Sequence, residues 1–192
     1  MMVDEKSPRI PEMIKRGYTL EPGYQRMSAK LDGLRPIWRV SEGVKLRTLR
    51  NDEEKEFVEI VNNGFGHRRL EMGDLENWKS EDPPFTEDWV QIAEIDRRIV
   101  SAVVAKPDTD SVKYLHLKRG YLGPAATLPA FRNMHLASAL TVQAMNFLFE
   151  KGMDSVRLGT SETNVASNVL LRNLGFKVEN VRKILRKKLN SD

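Results

Sequence analysis

Residues 127–141 read TLPAFRNMHLASALT, and this order of residue types predicts a strand, a turn at Pro129 and a helix. Thr127 and Leu128 end the strand, and residues 132–138 are expected to form the first turn of the helix. Leu136, Leu140, Ala144, Phe147 and Leu148 then recur at helical spacing until Gly152 closes the run. A helix opens with amides that lack intrahelical acceptors and with the positive end of its dipole. That combination suits an anion, and pyrophosphate is a common occupant. Every helix has such an end, so the signal is weak alone. One letter stands out: side chains lean toward a helix N-terminus, so a Cβ at His135 tilts toward the place of the anion.

Outward from this stretch, the chain alternates strands and helices. VKLRTLR (44–50) alternates like a strand, and NDEEKEFVEIVNNGFG (51–66) reads as a helix with Asn51 as N-cap. LEMGDLENWKSEDPPF (70–85) suggests a short helix ending before Pro83. WVQIAEI and IVSAVVA are two strands joined by a tight turn at Asp96–Arg98. KYLHLKRGYLGPAATL (113–128) reads as a strand region, and Gly120, Gly123 and Pro124 place a bulge or bend in it. SVRLGT is a short buried strand, and NVASNVLLRNLGF is a helix opened by Asn164 and closed by Gly175. FKVENVRKILRKKL supplies the last strand or two. From Val44 the expected order is βααβββαβαβ. Residues 1–43, punctuated by Pro8, Pro11, Gly17, Pro22, Gly23, Gly33, Pro36 and Gly43, read as an arm with short elements at most.

A chain of 192 residues with 40% hydrophobic and 30% charged residues is that of an ordinary soluble protein with one sizeable core. No apolar run is long enough for a membrane span, and MMVDEKSPRI lacks a signal-peptide core, so a cytoplasmic location is expected. The chain has no cysteine, which excludes disulfides, zinc–thiolate sites and thiol nucleophiles. The net charge of +4 is modest. Six basic residues fall in KVENVRKILRKKL, where Val181, Lys183, Leu185, Lys187 and Leu189 share one face at strand spacing. We read this as a solvated edge strand guarded by lysines. Aromatics are not interleaved with these charges and no nucleic-acid motif accompanies them, so nucleic acid is not an expected partner.

With this element order, TLPAFRNMHLA resembles motif A of the GNAT superfamily of N-acetyltransferases, Val-x-Pro-x-aromatic-Arg-x-x-Gly-x-Gly/Ala. Pro129, Phe131, Arg132 and Ala137 fit, Thr127 replaces Val, and His135 replaces the first Gly. NVASNVLLRNLGF is similar to the second signature: Asn164, Leu170, Gly175 and Phe176 match, Ser167 stands for Ala and Leu171 for Tyr. WVQIAEIDRRIVSAVVA resembles the superfamily's hairpin. EGVKLRTLR, EDPPFTEDW and KRGYL resemble mycothiol-synthase-like members, many of which carry two tandem units. Residues 1–43 would then be an arm, or the remnant of a preceding unit, before a GNAT domain at 44–192.

The resemblance implies an α/β (α+β) fold, a mixed and mostly antiparallel twisted sheet flanked by helices, with two central parallel strands splayed apart. It implies acetyl-CoA as cosubstrate, with the pantetheine arm bonding to backbone near Thr127 and Leu128 like an added strand. The diphosphate would meet the amides of Arg132, Asn133, Met134, His135, Leu136 and Ala137, and Arg132 would help to fix the turn. Asn164 would hold the second wall beside the pantetheine. The expected reaction is acetyl transfer to a primary amine of a small molecule or peptide, by direct attack in a ternary complex. The alternative is a catalytically silent domain that binds CoA or a partner. A homodimer, with residues 1–43 crossing to a second subunit, is compatible with the sequence.

A free lysine amine titrates near ~10.4, so a neutral nucleophile requires proton removal. The carboxylate that often serves falls at Tyr121 in this chain, and the tyrosine that often protonates the thiolate falls at Leu171. Tyr121 is therefore either an aromatic packed beside the bend or a catalytic phenol. His116 on the same strand, and Glu94 on the preceding one, are further titratable candidates. His135 has three readings: it points aside, it donates to a phosphate, or it impairs cofactor binding. His67, Arg68 and Arg69 between the first two helices form either a solvated basic loop or a contact for an acidic acceptor. Trp38, Trp78 and Trp89 either line an acceptor pocket or, for the last two, anchor the second helix and the hairpin.

Overall fold

The computed structural model describes residues 1–80 and 84–188. Among them the chain forms β1 (Met2–Asp4), α1 (Ile10–Lys15), β2 (Thr19–Lys30), β3 (Lys45–Thr48), α2 (Glu54–Phe65), α3 (Asp74–Lys79), β4 (Val90–Ile95) and β5 (Arg98–Pro107). It continues through α4 (Thr109–Leu115), β6 (Arg119–Thr127), α5 (Leu136–Glu150), β7 (Ser155–Ser161), α6 (Val165–Asn173) and β8 (Lys177–Arg186). This is the expected mixed α/β class, mostly antiparallel with flanking helices. The strand that runs to Thr127 was expected to reach back through Lys113, but residues 109–115 are helical. Asp108 caps that helix by accepting the amide and the hydroxyl of Ser111 at 3.4 and 2.7 Å, a local signal that outweighs the alternation of KYLHL. Pro83 and Leu189 lie outside the described residues.

Two compact units are present, Lys30–Val156 and Met1–Ala29 with Arg157–Asp192. In the first, β3, β4, β5 and β6 pair antiparallel in that order. Ile99–Ala105 on β5 is buried throughout, which is why IVSAVVA lacks polar alternation. One side of the core is a cluster in which Phe57, Ile60 and Val61 of α2 pack with Val90, Ile92, Ala102 and Val104. Trp78, Phe85 and Trp89 close its rim as an edge-to-face chain with centroids 5.6 Å apart. Trp78 and Trp89 thus anchor the second helix and the hairpin. Leu136, Leu140, Ala144 and Leu148 form the buried face of α5. The tight turn falls where expected, with Asp96 and Arg97 at φ 50° and 64°, the left-handed pair of a two-residue hairpin.

Helix α2 starts later than expected. Asn51 is not its N-cap: Glu53 occupies that position without a side-chain cap, because its carboxylate is held by Arg47 at 2.6 and 2.7 Å.

In the other unit the strand order is β1-β8-β2-β7. Residues 1–43 therefore hold more than short elements, since β2 is twelve residues long. The basic strand is not a solvated edge strand: β8 pairs with β1 on one side and β2 on the other. Lys183 is 18% exposed and bonds to Glu162 at 2.5 Å and Glu5 at 3.3 Å. Those partners lie far away in sequence, so no local pattern announces them. Asn164 caps α6 as expected, accepting the amide of Ser167 at 3.1 Å. Leu171 is buried and its hydrocarbon side chain offers no proton.

Candidate functional site

The connection from β6 to α5 departs from a plain helix start. Pro129–Phe131 form a single 3-10 turn, Arg132 is extended, and α5 begins only at Leu136. Residues 132–135 are thus not helical, contrary to the expectation for 132–138. The cause is in the backbone: Asn133 and His135 take φ of 65° and 57°, whereas Met134 between them does not. Such alternation turns successive amides to one side and builds an anion-binding concavity. Among the described residues, none accepts a hydrogen bond from the amides of Asn133, Met134, His135, Leu136, Ala137 or Ser138.

The left-handed conformation also gives a physical reason for the histidine's oddity. Glycine reaches positive φ without penalty, while asparagine and histidine are among the side chains most often found there. His135 keeps the backbone shape that glycine would provide. As the N-cap of α5 it makes no side-chain capping bond. Its ring lies beside that of Trp38, with centroids 5.7 Å apart at 35°.

Four contacts mount this turn on the rest of its unit. Arg132 donates to the carbonyl of Gly64 on α2 at 2.9 Å. Gly64 itself crosses β6 so closely that an added Cβ would stand 2.9 Å from the Cβ of Ala126 and 3.3 Å from Thr127 backbone. Thr127 pairs with Ser101, their hydroxyls 2.7 Å apart, and Leu128 donates to Val100 at 3.0 Å while its side chain enters the core. The helix position of Gly64 was not singled out from sequence, although a glycine inside a helix is a recognised mark of close approach.

Toward the start of β6 the expected bulge is present. Ala105 pairs with Leu122 and Val103 with Ala125, so Val104 faces both Gly123 and Pro124. The Tyr121 ring packs over Gly123, where an added Cβ would lie 3.5 Å from Cε1 and 3.8 Å from the hydroxyl. Tyr121 also lines a groove of about 470 Å³ with Lys106, Asp110 and Lys113. Tyr121 and Thr127 are six positions apart, roughly 20 Å of strand.

The other titratable candidates are elsewhere. His116 is not on the strand: it closes α4 at φ 53°. Glu94 is neither exposed nor open to a ligand. Arg47 holds it at 2.7 Å, Lys45 stands 4.0 Å away, and Arg47 also holds Glu53 at 2.6 Å. The hydrogen bonds from Arg47 keep both carboxyls below their ordinary range. Between α2 and α3, Asn62 accepts the amides of Arg69 and Leu70 at 2.6 and 3.0 Å. There Arg68 pairs with Glu71 and Arg69 lies over the Phe65 ring. Thr127, Leu128, Arg132, Asn133, Met134, His135, Leu136 and Ala137 thus come together on one connection, with Tyr121 on the same strand. Asn164 belongs to the other unit. No described helix is long and apolar enough to cross a membrane, and no described cluster of His, Asp and Glu could hold a metal.

Comparison with known proteins bears on this arrangement. Residues 46–176 match the Acetyltransferase (GNAT) family. A GCN5-related N-acetyltransferase from Sphaerobacter thermophilus superposes with a TM-score of 0.79 at 20% identity, over 96% of this chain and 57% of that one. One from Kribbella flavida gives 0.62 at 16%, over 98% and 68%. A chain of the NatC complex bound to Gag peptide and CoA gives 0.59 at 16%, over 76% and 99%. At such identities the likeness is one of fold. This chain spans little more than half the length of the Sphaerobacter protein. No curated protein matches it.

Proposed function

Because the chain belongs to the GNAT acetyltransferase family, we propose that it is an acetyl-CoA-dependent N-acetyltransferase acting on a primary amine by direct attack in a ternary complex. The observation that carries this reading is the run of unpaired amides at 133–138, which fits a diphosphate. The amides of His135, Leu136, Ala137 and Ser138 are the open donors of any helix start, and those of Asn133 and Met134, turned by the positive φ at 133 and 135, extend them. Arg132 would hold the concavity in place through Gly64, and the Thr127–Leu128 backbone would carry the pantetheine arm. Bound acetyl-CoA would supply an activated acyl carbon, so that a C–N bond forms, the C–S bond breaks and CoA leaves as the thiol.

Tyr121 is the proposed catalytic residue. Its hydroxyl would relay the proton released by the ammonium group, and the groove beside it would seat the amine of a small molecule or peptide. The roughly 20 Å of strand from Tyr121 to Thr127 matches the separation of roles. Similarity of EGVKLRTLR and KRGYL to mycothiol-synthase-like members supports a place beside that subgroup.

The test is thiol release from acetyl-CoA with a panel of primary amines across pH. Acetylated amine is the expected product, and no turnover with any amine would argue for the silent alternative. Tyr121→Phe is expected to lower kcat far more than KM and to remove one ionisation from the pH–rate profile. An unchanged profile would take Tyr121 out of the mechanism.

A further inference from the structure

The segment after β2 runs along α5 as an anchored strap. Leu31 donates to the carbonyl of Asp154, beyond the C-terminal end of α5, at 2.8 Å. Asn146 then reads both backbone groups of Arg35, accepting its amide and donating to its carbonyl, each at 2.8 Å. Pro36 follows and fixes its own φ. Three residues past the anchor, Trp38 reaches the opposite end of α5 and lies against His135. The indole is 42% exposed, high for the largest apolar side chain on a segment held this firmly.

The surroundings narrow what this ring is for. Phe131, the other aromatic residue of the connection, is half-buried and packs against the core cluster. The left-handed His135, which opens the run of unpaired helix amides, sets its imidazole beside the Trp38 ring. An aromatic ring therefore stands next to a residue of the unpaired run. On the proposed reading the pantetheine leaves the concavity along β6, and the nucleoside must leave it on another side. A purine is a flat π-surface that stacks on an indole without needing hydrogen bonds.

Resting on that reading, we infer that Trp38 is the stacking platform for the adenine of acetyl-CoA and that the strap exists to hold it there. Stacking on a ring whose segment is anchored at Arg35 and which already lies against His135 loses little freedom on binding.

The experiment is calorimetric titration of wild type, Trp38→Ala and Trp38→Phe with acetyl-CoA and with acetyl-4′-phosphopantetheine, which keeps one phosphate and lacks the adenosine 3′,5′-bisphosphate half. Trp38→Ala should weaken acetyl-CoA about tenfold, and Trp38→Phe less, while neither alters binding of the truncated ligand. Acetyl-CoA should also quench tryptophan emission in wild type but not in Trp38→Phe, since Trp89 is buried and Trp78 is packed between Phe85 and Lys106. If wild type binds acetyl-CoA and Trp38→Ala binds it equally well, the inference fails while the proposed function stands. Equal weakening of both ligands would likewise overturn it, because the ring would then act on the turn. If wild type binds neither ligand, the proposed function falls and this inference with it.

Discussion

The turn at 132–138 and the charged cluster at the β3–β4 edge both hold polar groups at strand ends, yet they finish in opposite states. At the cluster, Arg47 divides its guanidinium between Glu53 and Glu94, and Glu53 also accepts the amide of Arg50 at 2.9 Å. At the turn, six consecutive amides have no acceptor among the described residues. A cluster that pairs its own groups has little left to offer a ligand, and its removal should be felt in folding. A turn that leaves donors unpaired is weakly tied to folding and should be felt in binding. Glu94 and His135 were both candidates by residue type. Their partners, not their chemistry, separate them.

The contrast can be broken most forcefully at Arg47. Arg47→Ala leaves two carboxylates facing each other without their shared cation and should lower the urea unfolding midpoint more than any other substitution considered. Acetyl-CoA affinity should not change. The same cluster sets an acid limit. Both carboxyls titrate below their ordinary value of 4.5 in the folded chain, so their contribution is complete above that value and is lost as pH falls through the depressed folded values. Thermal midpoints measured downward from pH 6 should therefore drop more steeply in wild type than in Arg47→Ala. A parallel decline would show that these carboxyls are not coupled to folding.

Arg132→Ala should give the complementary result. With its bond to Gly64 gone, acetyl-CoA should bind about tenfold more weakly by calorimetry, or about 1.4 kcal/mol. The unfolding midpoint should stay close to that of wild type. A variant that lost stability and kept affinity would make the turn another structural cluster.

The smallest effect is expected at His135, where the two regions are told apart by strain. His135→Gly relieves a left-handed side-chain residue and should raise stability by about 1 kcal/mol. Affinity for acetyl-CoA should hold within about threefold, which at room temperature is under 1 kcal/mol. A large loss of affinity would mean that the imidazole itself touches the phosphates.

Sequence reading located the turn, the hairpin, the bulge and the cap at Asn164, because each depends on residues within a few positions of one another. It missed what depends on distant partners. Asp4 meets Arg182 only after folding, so β8 looked like an edge. Arg47 and Glu94 are separated by forty-seven positions, so Glu94 looked free. Trp38 and His135 are nearly a hundred apart, and neither carries a mark of the other. The φ of His135 was likewise invisible, since side-chain identity only biases a backbone angle. The helix at 109–115 is a different case: its cap at Asp108 is local, but the alternation in KYLHL points to a strand.

The missing side chain at Gly64 has a consequence of its own. Within a single turn, α2 holds the backbone of residues 69–70 through Asn62, approaches β6 at Gly64, which has no side chain of its own, and receives Arg132 on the Gly64 carbonyl. Two loops with no contact in sequence are therefore bolted to a single short bracket, and the spacing between them is set by helical rise rather than by either loop. Insertions within 66–73 would leave that gauge unchanged, whereas a methyl group at residue 64 would reset it.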